Sequence, residues 1–183
     1  MTDQEWMERA IALAAKAASE NEIPVGAIVV LNDEIIGEGY NAPISLCDPT
    51  AHAEIQAIRM ACKAMNNYRL PGATLYVTLE PCSMCAGAMV HARIDRVVYA
   101  ATEPKSGIVE SQGQFFEAPF LNHKVKVESG VLAEIASSQL THFFQYRREQ
   151  KRSSRNRQKR RFRRLIPSFC VEISYSAGLY LPH

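Results

Sequence analysis

A buried strand that runs directly into a pair of cysteines at a helix start is the feature that most constrains this chain. Residues 73–79 (ATLYVTL) are apolar and β-rich, as is typical of a strand buried on both faces. Pro81 suits a first helical turn, so the sequence predicts a helix from that residue. Cys82 and Cys85 then face one side of the helix start, where the helix dipole favours thiolates. This turn predicts metal or redox chemistry.

The cysteine pair alone fits a thioredoxin-like redox site, a structural zinc half-site or a catalytic zinc site. His52 and Glu54, at the entrance of another predicted helix, bear on the choice. Two thiolates and one imidazole make a three-ligand zinc set that leaves a fourth position for water. A structural site needs a fourth protein ligand, and the remaining candidates, Cys47, Cys62 and His91, belong to no matching pair motif.

Glu54 has a chemical interpretation beside such a metal. Zinc lowers the pKa of its bound water from ~15.7 towards ~7, and a neighbouring carboxylate can move the released proton, an effect worth ~10²–10⁴-fold in rate. Taken alone, Glu54 could instead complement the helix dipole. The combination of H-x-E with P-C-x-x-C is the signature of zinc nucleobase deaminases. The spacing lets two helix N-termini converge on one metal, and we expect them to do so across adjacent strands.

Helical and strand patterns alternate along the chain, which predicts a sheet covered by helices. The predicted helices cover residues 2–20, about 51–65, a segment from residue 81, and 131 to about 152. The predicted strands cover residues 25–31, 34–40, 73–79, 96–101 and 124–128.

Charge is distributed unevenly along the sequence. Residues 1–146 contain ten basic and seventeen acidic residues, whereas residues 147–164 contain eleven basic residues and a single acid, Glu149. The asymmetry points to an anionic partner. We expect one folded domain over residues 1–150 and a basic C-terminal extension over residues 151–183. Because the basic stretch has no apolar periodicity, it is either a helical extension or disordered until it binds.

Other features indicate a cytoplasmic protein. No run of about 18 apolar residues predicts a membrane span, and the acidic, amphipathic N-terminus lacks a secretory apolar core. The five cysteines are odd in number and scattered, which makes a poor disulfide framework. Reduced thiols are therefore expected.

The sequence resembles the bacterial tRNA-specific adenosine deaminases, which convert the wobble adenosine of a tRNA anticodon to inosine. The similarity runs from about residue 6 to residue 148 and rests on IPVGAIVV, IGEGYNAPI, DPTAHAEIQAIR, LYVTLEPCSMCAGAMVHARI and FFQYRR. It implies the cytidine-deaminase fold, a three-layer α/β/α arrangement with a central mixed sheet of about five strands. It also implies hydrolytic deamination, one zinc ion (Zn2+) per subunit, a tRNA anticodon stem-loop as partner, and a homodimer.

The resemblance also assigns roles to single residues. His52, Cys82 and Cys85 would hold zinc, and Glu54 would protonate N1 of adenine and help ammonia to leave after attack at C6. Where the family generally has Asp in T-D-P-K-x-G, this chain has Glu103 in TEPKSG, which keeps the charge but changes its reach. Further positions match those expected at the flipped nucleotide or anticodon loop: Asn41, Lys105, Ser106, Asn122, Phe144 (or its neighbour Phe143) and Arg148.

Three alternative functions stay open from the sequence. A relative acting on free cytidine, deoxycytidylate or guanine would share the same zinc signature. A zinc-stabilised RNA-binding module would have a closed site with four ligands. A thiol-disulfide oxidoreductase would use the two cysteines without zinc.

Overall fold

Four helices and five strands follow one another in the computed structural model, which describes the backbone of residues 1–165 and the side chains of residues 1–158. The rest of the predicted C-terminal extension, with Cys170, lies outside the described residues. In chain order the elements are α1 (Asp3–Ser19), β1 (Gly26–Leu31), β2 (Glu34–Tyr40), α2 (Ala53–Ala64), β3 (Thr74–Leu79), α3 (Ser83–Ala92), β4 (Arg96–Ala101), β5 (Lys126–Ser129) and α4 (Ala133–Leu165).

The strands form one mixed sheet in the order β2-β1-β3-β4-β5. Strand β1 pairs antiparallel with both β2 and β3, whereas β3, β4 and β5 pair in parallel. The predicted sheet of about five mixed strands is confirmed. The expectation that the strands before the two site helices are adjacent is wrong, because β1 lies between β2 and β3.

Alternate strand residues build two apolar cores, one on each face of the sheet. Val29, Leu75 and Val97 pack in the cluster that contains α2 and α3. Their neighbours along the strands, such as Ile28 and Tyr76, pack with α1 and the start of α4 on the other face. Side chains of successive strand residues point to opposite faces, so strands with apolar residues at every position require helices on both sides. This is the predicted three-layer α/β/α arrangement.

Most element ends lie within two residues of the sequence prediction, and the end of α4 differs by more. Helix α3 begins after Cys82 rather than at Pro81. The reason is that the Pro81 carbonyl accepts the Ile108 N–H of a distant loop, at 3.1 Å, and the first hydrogen bond of the helix is accepted by the Cys82 carbonyl. Strand β5 begins at residue 126 rather than 124. Helix α4 continues past residue 152 to Leu165, since Arg, Lys and Gln are good helix formers and no Gly or Pro interrupts them.

The chain divides into two compact units, and the division between Phe143 and Phe144 falls within α4. The first unit, Met1–Phe143, contains the sheet. The predicted domain boundary at residue 150 stays a prediction. No helix within residues 1–165 is long and apolar enough to cross a membrane.

Two glycines of β2 let the helix that carries the predicted site pack directly on the sheet. A Cβ at Gly39 would lie 2.2 Å from the Ala53 carbonyl oxygen, and a Cβ at Gly37 would lie 2.2 Å from that of Ala57. Only a residue without a side chain fits at such distances. The close approach fixes the height and direction of α2 above the sheet.

An ion-pair network ties α1 to the sheet. Arg96 donates to both carboxylate oxygens of Asp3 at 2.9 and 2.6 Å, and the Tyr76 hydroxyl donates to Asp3 at 2.7 Å. Arg96 also donates to Glu128 of the edge strand β5. The hydrogen bonds from Arg96 hold the pKa of Asp3 below its ordinary value of 3.8.

We expect Asp3→Asn to lower the free energy of unfolding at pH 7 by about 1 kcal/mol, a value reduced by the one-third exposure of Asp3. Because the pKa of Asp3 is lowered in the folded protein, its contribution is complete above pH 3.8 and is lost as the pH falls below that value. Urea unfolding of both proteins at pH 7 and pH 3 measures this. Equal stability at pH 7, or a difference that grows at pH 3, would contradict the prediction.

Candidate active site

The site forms where two chain segments leave the same edge of the sheet. Since β1 is antiparallel to both β2 and β3, these two strands run in one direction and their carboxyl ends lie at one edge. The segment after β2 leads to His52, the N-cap of α2, and the segment after β3 leads to Cys82, the N-cap of α3. Neither side chain makes a capping hydrogen bond to its own helix, so both are available as ligands.

The three predicted metal ligands are brought together. Nδ1 of His52 lies 3.7 Å from Sγ of Cys82 and 3.6 Å from Sγ of Cys85, and all three ligand atoms lie within 4.8 Å of one another. Tetrahedral zinc with its usual Zn–S and Zn–N bond lengths places sulfur and nitrogen ligands about 3.6 Å apart. The cluster therefore has the dimensions of a zinc site. Within residues 1–158, no fourth His, Cys, Asp or Glu joins it.

Hydrogen bonds within the cluster shift the pKa values of its members in different directions. Hydrogen bonds from Cys85 and His52 hold the pKa of Cys82 at about 4, although its partial burial opposes this. The Cys82 sulfur and burial raise the pKa of Cys85, and the hydrogen bond with Cys82 raises the pKa of His52. A divalent cation is the natural partner for such a group of sulfur and nitrogen donors.

Glu54 lies in the first turn of α2, two residues after His52, and only 4 % of it is exposed. Burial raises the pKa of its carboxyl group to about 6, while the charge of His52 acts in the opposite direction. The carboxylate also interacts with the Cys85 thiol. A buried carboxylate beside the ligand cluster, with a pKa close to neutrality, has the properties of a proton-transfer group.

Asn41 lies at the end of β2 and is buried. Its side-chain oxygen accepts the Ala53 N–H at 2.9 Å, which satisfies one of the free donors at the start of α2. The contact places Asn41, which is predicted to bind the substrate, beside the end of α2 that carries His52. Its role in binding substrate stays a prediction.

Three further predicted substrate residues share the irregular loop after β4. Lys105 and Ser106 are exposed, whereas Glu103 is half-buried and its carboxylate accepts the Lys105 N–H at 2.9 Å. Glu103 thus folds back on its own loop in the described structure. The loop also contacts the turn before Cys82, through the Ile108 N–H and the Pro81 carbonyl.

The remaining predicted substrate residues lie elsewhere in the chain. Asn122 is exposed, and Arg93 donates to its side-chain oxygen at 2.8 Å and to its carbonyl at 3.1 Å. Phe144 and Arg148 are exposed residues of α4 that belong to the second compact unit, and Phe143 is half-buried at the end of the first.

Sequence reasoning missed one residue beside the metal ligands, Glu80. It follows β3 directly, only 3 % of it is exposed, and its carboxylate accepts hydrogen bonds from Glu103, Glu110 and Ser111. Burial tends to raise the pKa of Glu80, but these hydrogen bonds outweigh it and the pKa is lowered. The sequence did contain one signal for this residue, an acidic side chain at the end of a strand that is buried on both faces. The signal was weak because the groups that hydrogen-bond to Glu80 lie 23 to 31 residues away in the sequence.

Comparison with known proteins agrees with this geometry. The family described as the cytidine and deoxycytidylate deaminase zinc-binding region matches residues 1–101. The tRNA-specific adenosine deaminase of Haemophilus influenzae is 52% identical over 151 residues, which cover 82% of this chain and 87% of that protein. The chain belongs to the family of the tRNA-specific adenosine deaminases.

Two further proteins are similar to this chain over most of its length. The Bacillus subtilis tRNA-specific adenosine deaminase is 43% identical over 153 residues, which cover 84% of this chain and 95% of that protein. A solved structure from work on A-to-I editing by tRNA:A34 deaminases at the wobble position of transfer RNA has a TM-score of 0.73 and 47% identity. The match covers 74% of this chain and 99% of the chain in that structure. The expected fold and the zinc cofactor are thereby confirmed.

Proposed function

We propose that this protein hydrolyses the wobble adenosine of a tRNA anticodon to inosine, with release of ammonia. One observation carries the proposal: the three ligand atoms have the spacing of a zinc site with a position left for water, and a buried carboxylate lies beside them. A structural zinc site would use four protein ligands, and a redox pair would not need the histidine at 3.6 Å. The site would suit several nucleobases, and we choose adenosine in tRNA because the chain is similar to tRNA-specific adenosine deaminases.

The residues divide the chemistry between them. His52, Cys82 and Cys85 would hold zinc, which would supply the Lewis acidity that makes water nucleophilic near neutral pH. Glu54 would accept a proton from the water that attacks C6 of adenine, donate a proton to N1, and assist the departure of the 6-amino group as ammonia when the C6–N bond breaks. Its burial keeps the carboxylate away from bulk solvent, so the proton is delivered to the substrate rather than exchanged.

Several other residues are proposed to hold the anticodon loop. Because the target base must leave its stack to reach the metal, the enzyme has to bind flanking nucleotides as well as the flipped one. Lys105 offers a cation to phosphate, and Phe144 an aromatic ring to a base. The other proposed contacts are Asn41, Glu103, Ser106, Asn122 and Arg148.

Helix α4 presents a basic face that suits an RNA backbone. Lys151 and Arg152 each lie three or four residues from both Arg148 and Arg155, so the four side chains lie on one side of the helix, and all four are exposed. Residues 1–146 carry more acidic than basic side chains and would repel a polyanion. We propose that this basic face contributes phosphate contacts to tRNA binding.

We further propose that the enzyme is a homodimer in the cytoplasm, where its substrate is found. The first unit has a groove of about 800 Å³ with Leu46 and Met60 among its lining residues, and these side chains are 57 % and 52 % exposed. Other large apolar side chains between residues 44 and 68 are also exposed, namely Ile44, Met65 and Tyr68. Large apolar side chains that are exposed in one chain are the residues that a subunit interface would cover.

The deaminase proposal is tested by Glu54→Gln, which keeps the volume of the side chain but removes the proton acceptor. We expect inosine formation in an anticodon stem-loop to fall by at least ~10²–10⁴-fold while one zinc per chain is retained. Mass spectrometry of the RNA and elemental analysis of the protein measure the two quantities. Cys82→Ser should lose both zinc and activity, and the exposed Glu8→Gln should lose neither. Turnover of free cytidine or guanine without turnover of RNA would refute the proposal.

The basic face is tested by the triple variant Lys151→Gln, Arg152→Gln and Arg155→Gln. If these side chains neutralise phosphates, the slope of log K against log salt should decrease by about 2, since each contact to single-stranded RNA contributes about 0.7. Fluorescence anisotropy with a labelled anticodon stem-loop across a salt series measures the slope. Changing the uncharged Gln150, Ser153 and Ser154 to Ala in the same helix is the matched control. An unchanged slope in the triple variant would exclude the contacts.

The proposed dimer predicts a mass of about twice the 20.4 kDa chain in light scattering. Met60→Lys should shift the protein towards the monomer, because a charge would be buried in an apolar contact. Lys63 lines the same groove, and Lys63→Met, which removes a charge instead of adding one, is expected to leave the dimer intact. A monomer for the wild-type protein at all accessible concentrations would contradict the prediction.

A further inference from the structure

We infer that Glu80 is a positioning residue, whose buried carboxylate fixes the loop of residues 103–111 against the turn that supplies the zinc ligands. In this way Glu80 would set the position of the loop's RNA contacts relative to the metal. The inference rests on the proposed function, because the loop is assigned to the anticodon by that proposal. Its structural part stands on hydrogen bonds, burial and a close contact within the first unit.

The Glu80 carboxylate binds the loop at both of its ends. One oxygen accepts the N–H groups of Glu110 and Ser111, each at 2.9 Å, and the other accepts the N–H of Glu103 at 3.0 Å. The Ser111 hydroxyl makes a fourth hydrogen bond to the second oxygen. Three of the four donors are backbone groups, so the carboxylate holds the path of the main chain and not merely a side chain.

The loop closes around the carboxylate at Gly107. A Cβ at this position would lie 2.4 Å from the carboxyl carbon and from one carboxylate oxygen of Glu80. The loop is also closed internally, since the Gly107 N–H donates to the Glu103 carbonyl at 2.9 Å. Glycine is therefore required for the loop to enclose the carboxylate so closely.

The anchor belongs to the same short segment as the metal ligands. Glu80 precedes Pro81 and Cys82, its own N–H donates to the Ala101 carbonyl at 2.8 Å, and the Pro81 carbonyl accepts the Ile108 N–H. The zinc-ligand turn and the loop are thus joined at two successive residues. Exposed Lys105 and Ser106 lie between the anchored ends of the loop.

A loop fixed in this way reduces the conformational entropy lost when RNA binds. Without the anchor, residues 103–111 would have to be ordered by the RNA itself, and binding would weaken while the metal site stays intact. The consequence is therefore expected in RNA binding more than in the chemical step.

The test is Glu80→Gln in the full chain, which replaces one acceptor oxygen by an NH2 group that faces N–H donors. We expect KM for the anticodon stem-loop to rise between about tenfold and about a hundredfold, with kcat reduced less than about threefold and one zinc per chain retained. Hydrogen exchange of the Glu103, Glu110 and Ser111 amides should accelerate. The exposed Glu117→Gln makes the same change in charge and should alter none of these quantities.

Two further variants keep the inference testable if Glu80→Gln folds poorly. Gly107→Ala leaves the carboxylate in place but pushes the loop away from it, so it should raise KM in the same way. Ser111→Ala removes one of four donors and should have a smaller effect. An unchanged KM in Glu80→Gln and Gly107→Ala, or a loss of kcat or zinc without a rise in KM, would overturn the inference. Failure of the wild-type protein to deaminate RNA would instead refute the proposed function, whereas the exchange measurement would still report on the anchor.

Discussion

The direction of three strands is the constraint on which the site depends. Because β1 runs antiparallel to both of its neighbours, β2 and β3 end at the same edge of the sheet, and the segments that follow them can meet. Because Gly37 and Gly39 have no side chains, helix α2 can pack directly on β2, and this packing fixes the position of His52. Without this packing, a histidine and two cysteines some 30 residues apart would not hold ligand atoms within 4.8 Å.

Two buried glutamates near the metal ligands show how one residue type serves two purposes. Burial raises the pKa of Glu54 to about 6, so this carboxyl group can gain and lose a proton near neutrality. Glu80 is equally buried, but four hydrogen-bond donors outweigh the effect of burial and lower its pKa. The first environment suits proton transfer, whereas the second suits a permanent anion that holds a loop.

The helices, the strands and the three residues of the candidate metal cluster were predictable from the sequence, but several tertiary relations were not. Cys82 and Cys85 lie in one helical turn, so their common orientation follows from local geometry. The adjacency predicted for the strands was wrong because sheet order depends on long-range pairing, which hydrophobic periodicity does not encode. Glu80 was missed for a similar reason: its partners lie in an irregular loop with no pattern of its own. The end of α4 was placed too early because its basic residues have no apolar face, although each favours a helix.

The sequence by itself determined which residues are proposed to carry the chemistry: the three candidate metal ligands, the acid two residues after one of them, and the basic stretch that begins at residue 147. These properties depend on side-chain chemistry and on spacings within one helical turn. The tertiary structure decided that β1 separates the two site strands, that Glu54 is buried, and that Glu80 anchors the loop of residues 103–111. Burial and hydrogen bonds across 20 or more residues arise only when distant segments pack together, and for that reason they were absent from the sequence pattern.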